Sequence, residues 1–440
     1  MQRLAKCAWE AKIDEAPPKK GLTCALSACM PVCVKNNNNN RSIPKSTVCL
    51  LGQIVNSYLF RETFQKLARQ HESDKYCKSY DAWSQLVCMI VCHLGGCRSI
   101  RDISHAMCSI TGNINHLGVE KAPSKSTIAY QNEHRSPKIF RDFYYKLRKL
   151  LGQQMGGYSN LPNPDKRLKI LDSTTITVPL STMDWARYTS GKGAVKAHTL
   201  LNYQEHIPDF ICMTTGKVAD CKAAYKIELK KGDIVVADRG YQDFELLKYW
   251  DGNHIKFVVR HCEGIKYDQL IEMDLKEGEN EHIIQDEYIR MTGQESSVYD
   301  EPLRRVVVYN EQHGYKVELL SNYLTLNAEE IAEIYRKRWY VESFFKELKQ
   351  LLKIKTFIGT TKNALLTQIW TAMCAMLLVR FFQSKAKFKW HTSNLVIFLR
   401  MHLFCHVDLW SWLDCPFLTP RQIRDRGGGD IALTQGVLNF

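Results

Sequence analysis

Leu168-Lys-Ile-Leu-Asp172-Ser-Thr174 and Ile234-Val-Val-Ala237-Asp238-Arg-Gly-Tyr241 each carry an apolar run straight into a carboxylate. A short apolar run bounded by turn-forming residues reads as a buried strand. Two acids therefore stand at or near the ends of two buried strands, 238 − 172 = 66 residues apart. Between them, His198 to Gln204 and Pro208 to Thr215 also read as strands, and Ala219 to Lys230 can form a helix. A mixed α/β sheet is the expected fold class. One acid at a strand tip is more often a turn residue or helix cap than part of a site; two of them shift that balance.

Downstream, Asn327 and Glu330 have the spacing of a helix cap, and the pattern predicts one long helix to about Lys353. On it Tyr335, Arg338, Glu342 and Lys349 are 3, 4 and 7 residues apart. At about 100° per residue they fall within a wedge of roughly 60°. Ile334, Val341, Phe345, Leu348 and Leu352 form a separate stripe that would pack on the sheet. An exposed ion-pair ladder would have the same spacings, so the helix alone does not decide between a site and a solvated face.

Further outward the chain is ordinary in bulk, with 45% hydrophobic and 24% charged residues, which excludes the disordered class. Its 440 residues exceed the roughly 100 to 200 typical of one domain. Lys plus Arg exceed Asp plus Glu by 60 − 46 = 14, which suits a polyanionic partner. The 16 cysteines are scattered without paired spacing and read as reduced thiols rather than a disulfide scaffold. Cys88, Cys92, Cys97 and His93 lack a CxxC pair, and burial explains them better than zinc. The longest apolar run, Ile369 to Val379, stops at Arg380, short of the roughly 18 to 20 residues of a membrane span. No transmembrane helix is expected.

Before the sheet, Gln53 to Gln70, Tyr80 to Leu94, Ser99 to Ser109 and Pro137 to Leu151 have helical periodicity. Ser124 to Arg135 is a short polar helix candidate. Lys125, Arg135 and five further bases to Lys149 alternate there with aromatic residues, the composition of a phosphate-binding face. After the first sheet segment, Ile255–Arg260, Arg304–Tyr309 and Tyr315–Leu320 read as a second β-rich block.

Three carboxylates brought to one point repel unless cations neutralise them, and hard divalent ions suit oxygen ligands. Two such ions about 3.5 to 4 Å apart can activate a nucleophile and stabilise the leaving oxygen at a phosphodiester. Arg338 and Lys349 would then hold phosphates.

Leu171-Asp-Ser-Thr174, Ala237-Asp-Arg-Gly-Tyr241 and Tyr335-x2-Arg338-x3-Glu342-x6-Lys349 together resemble the DDE transposases of bacterial insertion sequences, in the group named for insertion sequence four with its Tyr-Arg-Glu-Lys signature. Lys196-x-His198, followed by Ile207-Pro208, looks like that family's connecting region, and the likeness spans about residues 50 to 412. The resemblance implies a ribonuclease-H-like catalytic core with Asp172 on the first strand, Asp238 after the fourth and Glu342 on a later helix. These three would be catalytic and would ligate two Mg²⁺ ions, with Mn²⁺ as an alternative. Tyr335, Arg338 and Lys349, helped by Lys346 and Arg239 and by Lys125 and Arg135 of the helical region, would contact DNA. Trp185 or Trp339 could stack on an unpaired base, although ordinary packing is the first reading for each. The implied activity is cut-and-paste transposition on double-stranded DNA by a homodimer, cytoplasmic and nucleoid-associated in a bacterial cell, with no membrane partner. A metal-dependent nuclease or phosphatase using the same carboxylates is the rival enzyme, and a DNA-binding protein that no longer transposes the rival of another class.

The expected domain map has an unstructured extension over 1–45 and a helical DNA-binding domain over 46–160. The catalytic core occupies 161–254 and 325–365, interrupted by a β-rich insertion at 255–324. A helical C-terminal region at 366–415 and a loose tail at 416–440 complete it.

Overall fold

A computed structural model of the chain describes residues 45–110, 114–155, 165, 167–178, 187–189, 192–262, 264–273, 282–293, 297–310, 314–351 and 357–417. The expectations for residues 1–44, for the tail from 418 and for Trp185 lie outside the described residues.

The strands are β1 (Leu168–Val178), β2 (Arg187–Thr189), β3 (Lys192–Asn202), β4 (Ile207–Thr215), β5 (Ile234–Ala237), β6 (Lys256–Arg260), β7 (Tyr267–Glu272), β8 (Ile283–Met291), β9 (Leu303–Asn310) and β10 (Tyr315–Ser321). They form one sheet in the order β2-β3-β1-β5-β6-β10-β9-β8-β7, with β4 also paired to β3. β3 runs antiparallel to both β1 and β4, whereas β1, β5 and β6 are mutually parallel. β10 joins β6 antiparallel and leads into the β10-β9-β8-β7 ladder. Two expectations change here. β6 belongs to the parallel centre of the sheet rather than to an insertion, and the β-rich block extends that same sheet from its β6 side.

β7 and β8 escaped the sequence reading because β8, Ile283-Ile-Gln-Asp-Glu-Tyr-Ile-Arg-Met291, places Asp286 and Glu287 among its buried residues. Those acids pair with buried arginines of β9: Arg304 Nη2 lies 2.6 Å from Asp286 Oδ2 and Arg305 Nη1 lies 2.6 Å from Glu287 Oε1. Paired charge replaces the apolar alternation by which a strand is ordinarily recognised.

Helices α1 (Leu50–Tyr58), α2 (Arg61–Gln70), α3 (Ala82–Gly95), α4 (Ile100–Ser109), α5 (Lys125–His134) and α6 (Lys138–Met155) precede the sheet. The expected Gln53–Gln70 helix breaks at Phe60, whose φ is +45°. α11 (Lys362–Lys385) runs through the middle of this helical group, packing on α3, α5 and α6. The helices before and after the sheet therefore share one core rather than forming two regions. α11 is long and apolar enough to cross a membrane, but 89% of its apolar window is buried inside the protein. His93 also belongs to that interior, its Nε2 lying 3.0 Å from Thr371 Oγ1 of α11.

Arg135 does not lie on a DNA-facing surface. Its side chain is 2% exposed and its guanidinium is consumed by interior acceptors: Nε donates to Ser73 O at 3.1 Å, Nη1 to Gln85 Oε1 at 2.6 Å and Nη2 to Tyr80 O at 3.1 Å. Asp74 completes the set at 3.3 Å. A fork with five donors closes the 73–81 loop onto α3 as no single-point donor could. Removing one partner of a buried charged network costs about 3 to 5 kcal/mol. Arg135→Ala should therefore lower the urea midpoint strongly, and Arg135→Lys should recover little of it. Lys125→Ala, on exposed α5, should leave the midpoint unchanged. Equal midpoints for native and Arg135→Ala would remove the structural role.

Candidate active site

In the parallel pairing of β1 with β5 the last partners are Leu171 and Ala237, so Asp172 and Asp238 are the next residues on neighbouring strands. β5 stops there while β1 continues, paired on its other side with β3, so Asp172 lies inside a strand at the point where its parallel neighbour ends. Side chains alternate between the faces of a strand. Ile170 and Val236 belong to the large core under the helices, Leu171, Val235 and Ala237 to a second core beneath α8 (Phe244–Gly252). By that alternation Asp172 and Asp238 share the face of Ile170 and Val236.

The same face carries α9 (Ala328–Arg336) and α10 (Trp339–Leu351), in place of the single helix expected there. α9 begins with the capping box of Asn327 and Glu330. At Lys337 and Arg338 the chain tightens into i→i+3 bonds: Arg338 N donates to Tyr335 O, Tyr340 N to Lys337 O and Val341 N to Arg338 O. The wedge computed for an unbroken helix does not hold across this joint. Val341, Phe345 and Leu348 nevertheless form the buried stripe of α10, which packs on β1.

The joint turns Arg338 toward the strand acids. Its side chain is 8% exposed, with Nη2 2.7 Å from Glu342 Oε1 and Nη1 3.3 Å from Asp172 Oδ2. Its Nε is buried and has no hydrogen-bond partner among the described residues. Burial alone would favour the neutral guanidine, but the charges of Tyr335, Asp172, Glu342 and Asp238 hold its pKa well above the ordinary value. Arg338 is thus a cation fixed among the three predicted acids. Tyr335 lies beneath it, ring centre 5.7 Å from the guanidinium carbon, and burial pushes its phenol up to about 12. Lys349 Nζ reaches Thr175 O at 3.1 Å, three residues beyond Asp172 on β1. Lys346 and Arg239 are exposed, Arg239 directly after Asp238. Lys125 belongs to the helical layer on α5.

Among the described residues, no three carboxylate, imidazole or thiolate groups stand close enough as arranged to share one ion. The donor set still fits a divalent cation. Asp172 and Glu342 supply hard oxygen atoms, partly exposed and already gathered around a positive charge.

Asp220 was passed over in the sequence. It opens α7 (Asp220–Ala224) and reaches the opposite face of β1, accepting from Ser173 Oγ at 2.6 Å and from Lys196 Nζ at 3.2 Å. His198 Nδ1 lies 3.4 Å away, its Nε2 2.8 Å from Thr214 Oγ1. Against the opposing pull of burial, contacts with His198, Ser173 and Lys196 lower the Asp220 carboxyl to about 2. The signal that could have found it is the Lys196-x-His198 spacing, which puts a base and an imidazole on one face of β3 with an acid still to be assigned. Tyr241 is buried between the two clusters; burial, then the charges of Asp172, Asp220 and Asp238, hold its phenol protonated well above its ordinary value.

Residues 163–378 match the family described as "Transposase DDE domain", and residues 48–120 match one described as "Domain of unknown function (DUF4372)". A Geobacillus stearothermophilus protein named as a transposase for insertion sequence element IS5377 is 28% identical over 53% of this chain and 62% of its own length. The Sinorhizobium fredii protein named as transposase y4zB is 27% identical over 59% and 71%, and a Synechocystis protein named as a transposase for element IS4SA is 26% identical over 58% and 70%. The chain thus spans about six to seven tenths of these relatives. Among solved structures, a piggyBac transposase synaptic complex with hairpin DNA covers 90% of this chain and 91% of its own at 10% identity and a TM-score of 0.41, too distant to support a conclusion. Residues 163–378, just under half of the chain and including Asp172, Asp238 and Glu342, are therefore similar to the transposase DDE domain, in a chain similar to the transposases of bacterial insertion sequences.

Proposed function

We propose that this chain is a DNA transposase of the insertion-sequence-four group, which cuts double-stranded DNA at the ends of its element and joins the 3′-hydroxyl ends to target DNA. The observation that carries the reading is the register of Asp172 beside Asp238 on one sheet face, with Glu342 bound to the same guanidinium as Asp172, all inside the matched domain. The order β4-β3-β1-β5-β6, with β3 antiparallel to the rest, supports a ribonuclease-H-like core.

Asp172, Asp238 and Glu342 would hold two Mg²⁺ or Mn²⁺ ions. Bound there, such ions supply Lewis acidity to the scissile phosphate and lower the pKa of the attacking water or hydroxyl. The chain's own part is to collect three anions against their mutual repulsion, which Arg338 makes tolerable in the free protein. When a DNA phosphate enters, Arg338 can exchange a carboxylate for the phosphate with the same planar fork. Lys349 holds β1 through Thr175 O and stands beside the path proposed for the DNA backbone, with Lys346 and Arg239 at the exposed rim. Lys125 on α5 belongs to a separate DNA contact in the helical layer. Two chains pair two element ends, and the reaction takes place in the bacterial nucleoid.

The test uses a labelled duplex carrying the element's terminal sequence, with Mg²⁺ and target plasmid. Cleavage at the element boundary followed by joining to the plasmid is the expected result. Cleavage at any sequence without joining would replace transposase by nuclease, and end binding without cleavage would leave a DNA-binding protein.

A further inference from the structure

We propose that Asp220 is a positioning residue that locks the Asp172 segment of β1 and the turn after Asp238 together from the opposite face of the sheet. The proposal rests on the reading that Asp172 and Asp238 hold divalent ions. Asp220 touches the backbone neighbourhood of both. On one side it accepts the Ser173 hydroxyl at 2.6 Å, and Ser173 follows Asp172, whose Oδ1 in turn accepts from Ser173 N at 2.7 Å. On the other side α7 packs against the Arg239–Tyr241 turn that follows Asp238. A Cβ built on Gly240 would stand 3.4 Å from Asp220 Oδ2, an ordinary contact distance, so the carboxylate lies beside that turn.

The rest of the network holds Asp220 in place. Lys196 and His198 project from the same face of β3, opposite Thr175 and Ser173 of β1. Lys196 Nζ also donates to Val218 O at 3.2 Å, tying the segment before α7 to the same point. His198 is fully buried and anchored by Thr214 at 2.8 Å. Three elements, β1, β3 and α7, thus converge on one carboxylate that would never touch a metal or DNA. Orienting groups of this kind typically change metal affinity by about 10- to 100-fold when removed.

The measurement is Mn²⁺ binding to the full chain without DNA, followed by the loss of the free-ion electron paramagnetic resonance signal, with circular dichroism as a check on folding. Asp172→Asn defines the site by abolishing it. Asp220→Ala should weaken that binding by about tenfold or more, whereas Asp220→Asn, which still accepts from Ser173, should stay within about threefold of native. Ser173→Ala, a small change that removes the donor, should weaken binding in the same direction and decides the matter if Asp220→Ala does not fold. Native affinity in Asp220→Ala and Ser173→Ala would overturn the proposal while leaving the metal site standing. Equal losses in Asp220→Asn and Asp220→Ala would also overturn it, because charge acting through space would then suffice. If native protein has no Mn²⁺ site sensitive to Asp172→Asn, the metal reading falls and this proposal with it.

Discussion

Glu342→Gln is expected to lower strand cleavage by at least about a thousandfold while leaving binding to element ends near native. The side chain keeps its size and one oxygen, so α10 should still pack on β1 through Val341, Phe345 and Leu348. Arg338 keeps Asp172 at 3.3 Å and loses only the charge of its 2.7 Å partner. What disappears is one anionic donor toward a divalent ion. Metal stabilisation of a developing phosphoryl charge is worth several kcal/mol, and about 4 kcal/mol is about a thousandfold in rate. Glu333→Gln is the matched control, because Glu333 is a half-exposed acid on α9 whose carboxylate pairs with Arg336, away from the Arg338 contacts. Single-turnover cleavage of a labelled end with Mg²⁺ reads both variants. A Glu342→Gln rate within tenfold of native would remove Glu342 from the metal site.

The strand acids were legible because a single apolar run ending in Asp can be a simple turn, whereas two such runs in one chain point to strand tips that meet. Glu342 was legible through its spacing. The helix joint at Lys337 and Arg338 was not, since no Gly or Pro marks it and the 3.6-residue period continues through it. Yet that joint is what aims Arg338 at Asp172. Asp220 was hidden for a related reason: its partners Ser173 and Lys196 lie 47 and 24 residues away, and the Lys196-x-His198 spacing marks only one side of so distant a contact. Arg135 was misread in the other direction. A base in a polar helix next to other bases looks solvated, and only the folding of the 73–81 loop over it makes it interior. Single-sequence reasoning is strong where burial is periodic and weak where charge is buried in pairs.

Arg338→Ala is expected to make the protein's stability depend on divalent ions far more than native stability does. In the native chain the guanidinium lies between Asp172 and Glu342, whose side chains are only 18% and 21% exposed. Deleting it leaves two partly desolvated carboxylates facing each other. Removing one member of a buried charge set costs about 3 to 5 kcal/mol; with part of the repulsion screened by solvent, about 2 kcal/mol is the expected loss at neutral pH in chelator. Magnesium or manganese would then restore what the arginine supplied, so the gain in melting temperature on adding millimolar ion should be several degrees larger for Arg338→Ala than for native. Arg338→Lys should fall between them, since an ammonium reaches one carboxylate but lacks the fork that spans two. Cleavage should fail in Arg338→Ala even with the ion present, because the same group is the one proposed to receive the DNA phosphate. Thermal unfolding of the three proteins in chelator and in Mn²⁺ separates the possibilities. An equal ion-induced shift in native and Arg338→Ala would mean that the arginine and the metal do not share these carboxylates, and the metal would then have to be sought elsewhere on the sheet.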